Sequence, residues 1–228
     1  KAGNIMKLIY GERELVMEFR ENQVQVAVVE NQEYFSILLE NLYRQSIGGE
    51  GKFIFSEGDK ILSLEKQAEI IWNPFSIDMN NKKILGKLYH ELHTISLEES
   101  YDAIGNLNAE IIRYLDAISE KVAYPIRFGM DLNLMDLYKL YGVQLETDGS
   151  STLEKLMDYI KIMSSLCGIH MMIFINLKDY LPENQIKELY KTAFYYKMNL
   201  LLIEAHQRET LPDECTQLID QEFCVIKY

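Results

Sequence analysis

The sequence predicts an α/β protein, a mainly parallel sheet with flanking helices interrupted by an inserted helical module. Three observations predict it. Continuous aliphatic runs at Val24–Val29, 169–175 and 200–203 suit strands buried on both faces, which lack the polar alternation of half-exposed ones. Helical stretches separate the later runs, so their connections are crossovers and the strands parallel, with helices on both faces. From about Met79 to Leu145 the alternation stops and helical spacing takes over. The expected division is an α/β domain made from residues 6–78 and 150–228, with a helical domain of 79–149 between.

The elements follow in order. Two short apolar runs, 7–10 and 15–19, surround the polar turn that begins at Gly11 and read as a β-hairpin. The strand at Val24–Val29 precedes a helix on which Tyr34, Ile37, Leu38 and Leu42 recur at helical spacing, before Gly48, Gly49 and Gly51 punctuate the chain. Residues 53–55 and 70–72 read as strands, the second ended by Asn73 and Pro74. In the middle segment a helix over 98–122 is expected after a cap at Ser96, with Ile104, Ile111, Leu115, Ile118 and Val122 close to a heptad seam. Helices at 81–93 and 132–141 are its expected partners. Beyond Thr152 come a helix to Leu166, a strand over 169–175, a helix over 183–197, a strand over 200–203, a helix over 212–219 and a strand over 223–226.

The 228 residues carry 23 Lys and Arg against 35 Asp and Glu, a net charge of −12 that argues against indiscriminate adhesion to nucleic acid but leaves room for one local basic surface. With 11% aromatic residues and 12 Gly, disordered and collagen-like chains are excluded. Cys167, Cys215 and Cys224 form no CxxC pair, which suits a reducing cytoplasm and no disulfide framework. No apolar run approaches the ~20 residues of a membrane helix, so no membrane association is expected. Residues 1–5 precede Met6, where a native chain would start, and stand outside the fold argument.

Several patterns suggest chemistry and fail on spacing. Ser46-Ile-Gly-Gly-Glu-Gly-Lys52-Phe53 departs from the phosphate loop GxxxxGK[ST] at both ends: Ser46 replaces the first glycine, and Phe53 the hydroxyl that would hold magnesium. It also follows a helix, and the place where such a loop belongs, after Val29, holds Glu30, Asn31, Gln32 and Glu33. Glu204 stands at a strand end where a hydrolase would carry an acid, followed by His206, and reads as an exposed strand end. His90 and His93 are one residue too close for HExxH, and Cys167 and His170 at the start of a strand aim at opposite faces. Glu40 to Ser46 matches a tag-protease site by chance, inside an amphipathic helix.

The basic residues carry more. Lys82, Lys83 and Lys87 meet a single acid, Glu91, between Met79 and His93. Such a stripe is either a solvated helix face or a set of phosphate contacts. Lys52 and Lys60 mark another short basic patch, and Arg113 and Lys121 lie eight apart on the long helix, hence on similar faces.

Taken together these segments resemble one family along nearly the whole chain, the short Csn2 proteins, CRISPR-associated accessory proteins of type II-A spacer acquisition. The resemblance is carried by Ile70-Ile-Trp-Asn-Pro-Phe-Ser-Ile-Asp78-Met-Asn80 leading to Ile84-Leu-Gly-Lys87-Leu-Tyr89, by Leu140-Tyr-Gly142-Val-Gln-Leu-Glu146-Thr, by Thr152-Leu-Glu-Lys155, by Ile173-Phe-Ile-Asn176, and by Leu201-Leu-Ile-Glu204 followed by Leu218-Ile-Asp-Gln-Glu-Phe223. Their collinear order is the specific signal. The resemblance implies a head like that of the phosphate-loop NTPases but without the loop, and an inserted helical leg. It also implies a homotetrameric ring that encircles double-stranded DNA at free ends, without enzymatic activity or bound nucleotide, for antiviral defence in the cytoplasm. Its implied partners are the CRISPR integrase proteins and the type II effector nuclease. Lys87 falls at a position that looks basic in the family. Calcium, held by acids in or beside the leg, is implied as well. Here, however, the stretch from Ala123 to Met130 contains no acid, leaving Asp131 and Glu120 against the six to eight oxygens that calcium prefers. The lysine cluster that often precedes the strand at Ile169 is replaced by Cys167-Gly-Ile-His170. Two readings compete with the ring: a degenerate phosphate-loop-like ATPase and a pure interaction scaffold built on the long-helix seam.

Overall fold

A computed structural model describes residues 5–11, 15–146 and 151–227. The chain divides into two compact units, Lys1–Asp78 with Thr147–Tyr228, and Met79–Glu146.

The first unit begins with the antiparallel pair β1 (Met6–Tyr10) and β2 (Leu15–Phe19), in which Leu8, Tyr10, Leu15, Met17 and Phe19 alternate inward. β3 (Val24–Val29) is buried along its whole length. α1 (Gln32–Ser46) starts at Asn31, whose Oδ1 accepts the Tyr34 N–H at 3.0 Å, and turns Tyr34, Leu38 and Leu42 into the core, while Ile37 lies exposed on its flank. β4 (Phe53–Glu57), β5 (Lys60–Leu62), a single helical turn α2 (Leu64–Gln67) and β6 (Ala68–Ile71) follow, with Trp72 just outside the strand. The helical unit holds α3 (Lys82–Glu99), α4 (Tyr101–Ser119) and α5 (Leu134–Leu140). The chain then re-enters the first unit. α6 (Thr152–Ser165), opened by a capping box between Ser151 and Glu154, precedes β7 (Met171–Ile175), α7 (Glu183–Tyr195), β8 (Asn199–Glu204), β9 (Glu214–Ile219) and β10 (Val225–Lys227).

Six strands form one sheet in the order β10-β9-β3-β8-β7-β6, parallel except for β10. This is the α/β fold the sequence predicts. β7 and β8 are apolar without alternation because both of their faces are covered. On one face Ala27, Val29, Ile173, Leu201 and Ile203 join the inward residues of α1 and of a second, four-stranded antiparallel sheet, β2-β1-β4-β5. On the other, α6 and α7 pack together and α7 meets β8, burying Leu156, Ile160, Ile186 and Leu189. Helices therefore flank both faces as expected, and the four-stranded sheet joins α1 in covering one of them.

Three expectations change. Residues 212–219 are not a helix. Asp213 has φ 71°, incompatible with a helical first turn, and its carbonyl accepts the Val24 N–H at 2.8 Å, starting β9 alongside β3. A central strand whose residues are all buried needs partners on both edges, and that demand overrides the Pro-Asp-Glu helix-start signal. The long helix expected over 98–122 is the shorter α4, because α3 continues to Glu99 and meets it at Ser100, and Ser96 lies inside α3 with its Oγ 2.8 Å from the Tyr138 hydroxyl. Cys167 and His170 precede β7, so strand alternation does not apply to them.

Candidate nucleic-acid interface

In the helical unit, Asn81 caps α3 with its Oδ1, accepting the N–H groups of Lys83 at 3.0 Å and Ile84 at 3.1 Å. Ile84, fully buried, and Tyr89, whose hydroxyl donates to the Val143 carbonyl at 2.9 Å, turn the opposite side of the helix to solvent. Lys83 and Lys87 are exposed one turn apart on that side, and Lys82 is exposed at the first helical position. The first turn contains no acid. Two ammonium groups at the positive end of a helix dipole cost about 0.3–1 kcal/mol each in stability, while N–H groups and lysines together favour an anion there.

The other predicted basic residues are placed less favourably. Arg113 is exposed on α4 but paired with Glu110 at 2.5 Å. Lys121 is exposed beyond the end of that helix, so it and Arg113 are not two positions on one helical face as expected. Lys52, before β4, and Lys60, in β5, are exposed on the α/β unit.

Glu120 and Asp131 are exposed, and among the described residues no three His, Cys, Asp or Glu side chains gather to hold a metal ion. These donors do not make the oxygen cage that calcium requires.

The glycine-rich segment serves the fold. Gly48 has φ 81° beyond the end of α1, and the Gln45 side chain clamps β4 by donating to the Phe53 carbonyl at 2.9 Å and accepting its N–H at 2.8 Å. A Cβ on Gly51 would lie 2.5 Å from Gln45 Oε1. The loop thus meets the carbonyl end of a helix, where phosphate is repelled. After β3, the phosphate-loop position is taken by the Asn31 cap and by Gln221, whose Nε2 donates to the Glu30 carbonyl at 2.6 Å.

Sequence reasoning missed one buried network. Glu204 is 2% exposed, not the solvent-facing strand end expected, and burial pushes its carboxyl up to about 7 although the Lys178 N–H donates to it at 3.2 Å. The Lys178 ammonium is engaged by Glu214 at 2.8 Å, with both side chains almost wholly buried. Glu214 also accepts the Tyr190 hydroxyl at 2.6 Å, and burial first, then that carboxylate, raises the phenol. The network pins the helix-free connection between β8 and β9. Its only sequence signal was a set of charged residues bordering apolar strands. His206, and His90 on α3, are exposed.

Fold and site together define a two-unit α/β protein with a helical insertion bearing a lysine-rich helix start. Residues 45–223 match the family model described as CRISPR-associated protein (Cas_Csn2), and the chain belongs to that family, which places it in CRISPR adaptation. It is 21% identical over 207 residues to CRISPR-associated protein Csn2 of Streptococcus agalactiae, covering 88% of this chain and 89% of that one. Over 160 residues it is 21% identical to the Csn2 protein of Enterococcus faecalis, covering 68% and 69%. Among solved structures, an ADP-bound ATP-binding cassette of an ABC transporter aligns with a TM-score of 0.42 at 12% identity, over 90% of this chain and 82% of that one. An ABC-transporter ATP-binding protein from Pyrococcus furiosus aligns with a TM-score of 0.41 at 11% identity, over 94% and 96%. Among the described residues no helix is long and apolar enough to cross a membrane.

Proposed function

We propose that this chain is a non-catalytic, ring-forming protein that captures double-stranded DNA by its free ends during CRISPR spacer acquisition, working beside the integrase proteins and the type II effector nuclease. The observation that carries the reading is the start of α3, where Lys82 and Lys83 sit exposed at a helix dipole's positive end and Lys87 is exposed one turn further on, in a chain of charge −12. An arrangement that costs the helix stability is expected where an anionic ligand repays it. An acidic exterior with a local basic lining favours phosphate at the lining and discourages docking elsewhere.

Assembly is supported by α4. Its 19 residues include no buried one, yet Ile104, Leu107, Ile111, Leu115 and Ile118 recur along one side, with Leu107 and Ile118 more than two-fifths exposed. A helix of this pattern is completed by packing against another. Competition binding tests the ring: linear duplex should bind well above closed circular duplex of equal length, because a closed ring admits DNA only at an end. Equal affinity for both overturns threading. The ATPase reading has no support at the two places where phosphate would be held.

A further inference from the structure

We infer that a cleft of the α/β unit, where β2 meets β3, β9 and β10, binds a small zwitterion of the α-amino acid class, an ammonium beside a carboxylate. The inference goes beyond the ring reading and does not rest on it. It starts from two polar side chains where the sheet pattern asks for apolar ones. Gln25 in β3 and Gln217 in β9 are 2% and 4% exposed, and Gln217 stands in register with Ala27, on the face covered by the second sheet. Each amide nitrogen has a structural task. The Gln217 Nε2 donates to the Val16 carbonyl and the Gln25 Nε2 to the Glu18 carbonyl at 2.8 Å, meeting alternate carbonyls of β2, the edge strand of its sheet. Those bonds fix which end of each amide is oxygen, since a flip would set oxygen against a carbonyl. Both oxygens are then left over. The Gln217 Oε1 is buried with no partner, and among the described residues nothing donates to the Gln25 Oε1 either. A buried acceptor without a donor costs stability that an aliphatic side chain in its place would not, so the pair calls for a group that brings N–H donors.

Charge around the cleft selects the rest of the ligand. A cavity of about 280 Å³ opens over both glutamines, lined further by Arg20, Lys227, Glu18 and Cys215. Lys227 lies opposite Gln217 across the β9–β10 pair, hence on the same face, and it and Arg20 are exposed. Lys7 bonds Glu18 at 2.7 Å and Arg20 bonds it at 3.3 Å, and these contacts, Lys7 first, hold its carboxyl below the ordinary range, so it stays an acceptor. Two cations against one carboxylate leave the lining a single positive charge in a chain of −12. The glutamine oxygens and Glu18 accept, which selects an ammonium, and Arg20 and Lys227 donate, which selects an anion. A carboxylate matches the one surplus charge. A phosphate dianion would exceed it beside Glu18 and bring no donor to the glutamines, and a simple amine would meet two cations. A ligand carrying both groups close together answers every one of these side chains, and the cavity is at the small end of ligand pockets, as a single amino acid requires.

The test is thermal unfolding of the wild-type chain with free α-amino acids added one at a time at millimolar concentration, followed by calorimetric titration of those that raise the melting temperature. At least one should raise it and titrate as a single site. Acetate and ethylammonium each carry half of the ligand, and each should bind more weakly by about tenfold or more. The amino acid should lose affinity to the same degree in an Arg20→Gln, Lys227→Gln variant, whose exposed positions leave the fold alone. In a chain carrying Cys167→Ser and Cys224→Ser, bound amino acid should slow maleimide labelling of Cys215, which is half-buried in the cleft wall. A melting temperature that no amino acid changes overturns the inference and leaves the two oxygens to ordered water. Acetate or ethylammonium binding as tightly as the amino acid overturns the zwitterion. Binding of dAMP in place of amino acids overturns the class and assigns the cavity to a nucleotide. Unchanged affinity in the Arg20, Lys227 variant, or Cys215 labelled at full speed, places the ligand elsewhere and overturns the site.

Discussion

Glu204 shows how much a single position can hide. It ends β8 in the middle of the sheet, its neighbour Lys178 spends its ammonium on Glu214, and what remains for Glu204 is one backbone N–H. Its carboxyl ionises near 7 in place of 4.5, so between those values the folded chain keeps a proton that the unfolded chain has released. Stability therefore falls as pH rises through that window and stays lower above it. Glu204→Gln retains the acceptor for Lys178 and removes the buried charge. Its melting temperature should exceed that of the wild type at pH 8, with the difference closing by pH 5; a constant difference at both pH values would refute the assignment. Glu214 is the opposite case. Replacing it with leucine strands the Lys178 ammonium and the Tyr190 hydroxyl in the core and should cost about 3–5 kcal/mol by denaturant unfolding. Neither burial was legible in the sequence, because the β8–β9 connection that covers these groups was read as leading into a helix.

At the scale of the element, α3 separates stability from binding. Lys82→Glu with Lys83→Glu places acids where the dipole favours them, so the melting temperature should rise while duplex affinity falls. A simple loss of folding would lower both, and a merely solvated helix face would leave affinity unchanged. The start of this helix was legible because Asn81 and the lysines form a local signal. The end was not, since Ser100, which separates α3 from α4, looks like Ser96 to any capping rule. The strand over 214–219 was not legible, because Pro212 and Asp213 imitate a helix start, and only the open edge of β3 shows why the backbone extends.

For the whole molecule, the prediction is one of salt dependence. Each phosphate neutralised adds about −0.9 to the log-log slope of affinity against salt, so reversing Lys82, Lys83 and Lys87 should flatten the slope by about 2.7 for each subunit that touches DNA. An unchanged slope would remove the helical unit from the lining and leave Lys52 and Lys60 to account for any binding. The α/β class and the lysines of α3 were written in periodicity and local charge, because burial on two faces and exposure on one side leave direct traces in residue order. What only the tertiary structure decided was the partner of each surface: that a second sheet covers one face of the first, that 212–219 lends an edge to β3, and that Glu204 is sealed from water. Those outcomes depend on contacts between residues distant in the chain, and local pattern carries no information about which distant segment will fill an open edge or face.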